Sequence, residues 1–204
     1  MPTTRRLLLA FGLLIGGGPA AVAAQEGEGQ PFSVEARLGV SVPTGELSRG
    51  QRGIATNAGI SRGVSALLRV RPGLGLYGGW SRHGVACSGD SDCAPDAVVA
   101  SSGFEAGVRI VLPHQTVTTP WFRGGVTLHR FSYDLDGVVL RSDVTPGVEV
   151  GVGADVRVHR FLALAPALRF VYYRTDINLE TFNTGAEPFQ VSALVVDLGA
   201  RLRF

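Results

Sequence analysis

Several residues in this chain sit close enough together to do chemistry. Ser81 and His83 stand two apart in WSRHG, a spacing that places both on one face of a strand. A hydroxyl beside an imidazole is the beginning of a nucleophile and its base, but a third group must orient the ring. None is evident nearby. His129 and Ser132 are three apart, which sends them to opposite faces of a strand. Asp90 with Asp92, and Asp134 with Asp136 before Gly137, offer carboxylates to a cation. Neither series is complete enough for a calcium loop, and Asx turns account for both. Cys87 and Cys93 bracket a polar, turn-rich stretch, and two thiols are too few ligands for a metal. In an oxidising compartment such a pair predicts a disulfide, worth roughly 2 kcal/mol from loop closure. No catalytic residue, cofactor or metal site is expected.

The elements that carry these residues are legible in the rest of the chain. Its 204 residues are 45% hydrophobic and carry a net charge of +2, which gives no support to nucleic-acid binding. All 19 basic side chains are arginine, and glycine occurs 28 times. The first residues pair Arg5 and Arg6 with the apolar run LLLAFGLLIGGG and the small residues of PAAVAAQ. That is the grammar of a cleavable secretory signal peptide, and the apolar run is shorter than the about 20 residues of a spanning helix. Residues 1–24 are therefore read as the leader, with a cut after Ala23 or Ala24, and 25–204 as one exported domain.

From Phe32 onward the chain alternates. Phe32, Val34, Ala36, Leu38, Val40 and Val42 take one parity, and Ser33, Glu35, Arg37, Gly39 and Ser41 the other. The same period of two recurs in segments that begin near Val64, Leu74, Gly103, Trp121, Val148, Ala163 and Asp197, which makes eight predicted strands. Short links at 71–73, 113–118 and 159–161 alternate with long polar ones, the layout of an antiparallel up-and-down barrel.

Two barrels share that layout. A soluble lipocalin-like barrel turns its apolar parity inward around a ligand, whereas a membrane barrel turns it outward. The polar parity here is mostly Gly, Ala and Ser with one or two charges per strand, which suits a crowded interior. Aromatics gather towards the strand ends: Phe32, Phe161 and Phe204 at the short-turn end, and Trp80, Phe131, Tyr133 and Tyr172 at the loop end. Two such bands around an aliphatic zone predict bilayer girdles. The inward charges would be Glu35, Arg37, Arg69, Glu105, Arg109, Arg123, Glu149, Asp155, Arg157, Arg169, Asp197 and Arg201, paired as a salt-bridge plug.

The chain closes on DLGARLRF, where Asp197, Gly199, Leu202 and Phe204 resemble the C-terminal insertion signal of bacterial outer-membrane proteins. The mature chain as a whole resembles the eight-stranded barrels of the OmpA, OmpX and opacity-protein type. That resemblance implies an all-β transmembrane barrel in the outer membrane, contacts with lipid and with the barrel-insertion machinery, and a monomer. It also implies a non-enzymatic structural or adhesin-like role, with extracellular ligands taken by the loops. Lipid A deacylases on similar barrels carry His and Ser two apart facing lipid. Here Ser81 and His83 come in the reverse order and on the inward parity. A lipid-modifying enzyme, a narrow channel and a soluble ligand-binding barrel stay open as alternatives.

Overall fold

The computed structural model describes residues 31–44, 56–87, 98–112, 117–135, 138–175 and 189–204. The leader and the expected Cys87–Cys93 disulfide lie outside the described residues, as do the side chains of both aspartate pairs.

Ten antiparallel strands follow one another: β1 (Phe32–Thr44), β2 (Thr56–Asn57), β3 (Gly59–Arg71), β4 (Leu74–Cys87), β5 (Val98–Val111), β6 (Thr118–Leu135), β7 (Val138–Arg141), β8 (Thr145–Arg157), β9 (Leu162–Thr175) and β10 (Phe189–Arg203). Eight of them form a closed ring, β1-β3-β4-β5-β6-β8-β9-β10, with β10 returning to β1 from Ser33↔Arg203 to Thr44↔Ser192. Closure leaves no edge to template aggregation. The eight predicted segments are these eight strands. The short β2 and β7 extend the ladder at the loop end against β4 and β6. They fall where long loops were predicted, because strands that continue past the apolar zone need not alternate.

The short turns lock the other end. Pro72 and Gly73 join β3 to β4, and Gly73 has φ +75°, the left-handed value that a type II turn demands at its third residue. Residues 159–162 close β8 onto β9 through Leu162 N–H to His159 O, 3.1 Å, and His159 N–H to Leu162 O, 3.0 Å. Phe204 N–H reaches Phe32 O at 2.9 Å, so the terminal residue is part of the seam.

The alternation decides what faces where. Leu38, Ile60, Phe104, Val126 and Val150 point outward and are more than half exposed, while Glu35, Arg37, Glu105, Glu149 and Arg169 point inward and are buried. A water-soluble barrel has the opposite arrangement. The interior is filled by charged side chains and by large aromatics lying over glycines. A Cβ on Gly125 or Gly107 would collide with the Tyr77 hydroxyl, and one on Gly153 or Gly147 with the rings of Trp121 and Tyr173. The inward glycines are the space into which those rings fit. Gly125→Val should therefore displace Tyr77 and cost about 1–3 kcal/mol by overpacking, read as a lowered denaturant midpoint. Val126→Leu, on the outward neighbour, should leave the midpoint nearly unchanged.

Two expectations need correction. Phe131 is not part of an outer aromatic band; it is buried in the lumen, edge-on to Tyr173 with ring centroids 5.4 Å apart. It shares the parity of Trp121, Arg123, Thr127 and His129, and the strand simply continues. Arg157 is exposed at the short-turn rim rather than inside, because β8 ends there and the lumen opens. Arg69, near the same rim, is also exposed. The short-turn girdle is present, with Phe32 and Phe204 at 6.2 Å and the Arg160 guanidinium over Phe161. At the loop end Trp80 and Tyr172 are half-buried on the outer parity.

Candidate functional site

The inward side chains form three tiers. Nearest the short turns, Arg201 bridges Glu35 and Asp155, Arg109 donates to Asp155 at 2.7 Å, and Arg109 lies 3.5 Å from Glu35. The Trp121 indole N–H also donates to Asp155, at 3.1 Å, while its ring carries the Arg109 guanidinium at 4.0 Å. Arg203 reaches in from the rim to Asp155 at 3.5 Å.

The middle tier centres on Arg169. Its Nε donates to Asp197, and its Nη1 lies 3.3 Å from Glu149 and 3.6 Å from Glu105. Arg123 donates to Glu149 at 2.9 Å, Arg37 to Glu105, and the Tyr77 hydroxyl to Glu149. Arg37 lies 3.8 Å from Glu35 and links the two tiers. Five buried carboxylates (Glu35, Glu105, Glu149, Asp155, Asp197) thus meet five buried guanidiniums (Arg37, Arg109, Arg123, Arg169, Arg201). Each burial is costly alone, and the alternation of sign offsets it. The plug spans the lumen, drawing on β1, β5, β6, β8, β9 and β10.

Above the plug lies a neutral tier. The His129 ring hydrogen-bonds through Nε2 with Ser81, 3.2 Å, and through Nδ1 with Tyr173, 3.0 Å, and Ser101, 3.3 Å. His83 stacks on His129 at 5.7 Å and bonds through Nδ1 with Ser61, 3.0 Å, which also donates to Asp197 at 3.4 Å. Ser81 and His83 share a face, as their spacing requires, yet each is held by a residue of another strand and not by the other. Ser81 and His129 are fully buried on the lumen side of the wall. Sequence spacing could not reveal these cross-strand pairs, since they depend on register.

Towards the loops the lumen turns apolar, with Val85, Phe131, Val171, Val191 and Ala193 around a cavity of about 30 Å³ floored by His83, Ser101 and Tyr173. That volume holds a water or two and no larger ligand. Among the described residues no three metal-ligating side chains converge.

A charged interior wrapped in an aliphatic exterior is stable only with hydrocarbon outside. Solved structures of similar shape agree. Neisserial surface protein A matches at 20% identity with a TM-score of 0.64, over 85% of this chain and 97% of its own. The E. coli outer membrane protein W matches at 16% and 0.54, over 87% and 99%. The outer membrane protein OprG from Pseudomonas aeruginosa matches at 13% and 0.51, over 86% and 97%. This chain has the fold of the eight-stranded outer-membrane barrels. No family model matches its sequence, and no curated protein matches it. The fold and the aliphatic exterior place the barrel in the outer membrane, and barrels of this kind turn their short-turn end to the periplasm. Asp197, Gly199, Leu202 and Phe204 all lie on the seam strand β10 or at its end: Asp197 and Gly199 face the lumen, Leu202 and Phe204 the lipid.

Proposed function

We propose that this is a closed, non-enzymatic outer-membrane barrel whose work is done at the cell surface by its loops, in an adhesin-like or structural role. The observation that supports this reading is the plug. Ten alternating charges and the aromatic side chains Tyr77 and Trp121 fill the lumen of the membrane-spanning section, so the barrel is a rigid mount and not a path. Loops carried on such a mount are the parts free to vary and to recognise. The C-terminal residues Asp197, Gly199, Leu202 and Phe204 serve insertion by the assembly machinery.

Two measurements test this. In planar bilayers the folded protein should give no unitary conductance. Steady ohmic steps that vanish on boiling the sample would mean that the plug conducts. In parallel, cells displaying the intact chain should bind components of a glycan and matrix-protein array. Cells displaying a barrel with residues 45–55, 88–97 and 176–188 replaced by short Gly-Ser turns should not. Equal binding by both would place recognition elsewhere.

A further inference from the structure

The outer face carries a feature that neither the plug nor the loops explain. Strand register places Arg62 opposite Arg82, Arg82 opposite Ser102, and Ser102 opposite Arg130, which forms one row across β3, β4, β5 and β6. All four positions have the outward parity; Arg62 and Arg130 are exposed and Arg82 half-exposed. At about 4.8 Å between strands, Arg62 and Arg82 are neighbours and Arg130 is roughly 10 Å further on. One step towards the loops the next row brings Arg141, opposite Ser132, onto the same patch. Among the described residues no carboxylate stands in either row, and these four arginines have no ion-pair partner.

One step towards the membrane centre, the adjoining row reads Val64, Trp80, Phe104, Leu128. Phe104 is 70% exposed, the highest value among the large apolar side chains of the described residues. From Leu74 to Arg82 the strand climbs roughly 20 Å at about 3.3 Å per residue and a tilt of about 40°. That is most of the about 25 Å apolar band, so Arg82 stands near its outer edge, and the same tilt spreads the row from Arg62 to Arg130 over roughly 9 Å of height around that edge. Guanidiniums in hydrocarbon are costly, but at the interface they meet headgroups. The far side of the barrel is different. On β8, β9 and β10 the outward residues of the loop half include Pro146, Val148, Tyr172, Leu194, Ser192 and Gln190, with Arg174 the one arginine among the described residues there.

We propose that the β3–β6 face is a binding site for a phosphorylated glycolipid of the outer leaflet. The row Arg62, Arg82 and Arg130 clamps its phosphates, and the Trp80–Phe104 row supports its acyl chains. Guanidinium forks suit phosphate oxygens, and two arginines on neighbouring strands can share one phosphate. Ser102 stands between them with a hydroxyl for the sugar.

The test uses the full chain folded into phosphatidylcholine nanodiscs containing a few per cent of bisphosphorylated lipid A. Retained lipid is counted by native mass spectrometry after detergent exchange. The wild type should keep lipid A, and Arg62→Gln/Arg82→Gln/Arg130→Gln should bind it at least tenfold more weakly. Arg71→Gln, at the opposite end, should match wild type. Equal retention by the triple variant overturns the site. So does equal retention by wild type of fully dephosphorylated lipid A, a comparison that needs no variant to fold. Competition by millimolar inorganic phosphate separates the sources. Little displacement supports a lipid site, and complete displacement would show a free-anion site and overturn the glycolipid assignment.

Discussion

Arg169→Met should destabilise the folded barrel by about 3–5 kcal/mol, the range for breaking a buried ion pair from one side. Arg169 is almost fully buried and faces Asp197, Glu149 and Glu105. Methionine keeps most of the volume but removes the charge, so the three carboxylates face one another with only Arg37 and Arg123 to offset them. Urea titration in lipid vesicles reads the change through tryptophan fluorescence. Trp121 reports the lumen and Trp80 the outer face, and both should shift together if unfolding is two-state. The double variant Arg169→Met/Asp197→Asn should recover part of the loss, since one uncompensated carboxylate is gone. A single-variant loss under about 1 kcal/mol would mean that the interior charges are solvated, and the lumen would then be wet enough to conduct.

The period of two made the faces of this barrel legible from sequence, because one parity is aliphatic over eight separate segments. What it could not give is height. Arg157 has the inward parity and still escapes the lumen, because parity says which side a residue takes and not where the strand ends. Phe131 was readable by the same rule, since it lies an even number of residues from Trp121; its aromatic character suggested a girdle and hid the phase. The partners of Arg169 come from β5, β8 and β10, and that convergence depends on register between distant strands, which a single sequence does not contain. The arginine row is a similar case. Arg62, Arg82 and Arg130 look like scattered surface charges until pairing brings them into one row beside Trp80 and Phe104.

The assignment of faces itself has a test with opposite signs for its two outcomes. Val150 is 58% exposed in the middle of β8, between Phe170 and Gly124 on the neighbouring strands. If its face meets hydrocarbon, Val150→Arg places a guanidinium inside the apolar band, well away from the short-turn rim, and should cost up to about 2–4 kcal/mol. Val158→Arg puts the same group at the short-turn rim, where the cost falls to about 0–1 kcal/mol. The depth dependence is the diagnostic part, because no property of the arginine itself differs between the two sites. On a water-facing surface both changes would fall within about 0.5 kcal/mol of zero, as ordinary surface substitutions do. Urea midpoints in vesicles decide between these outcomes. A flat result at Val150 would turn the barrel inside out energetically and leave the buried ion pairs without the surrounding hydrocarbon that explains why they are inside. A steep loss at Val150 with little at Val158 ties the aliphatic parity to the membrane.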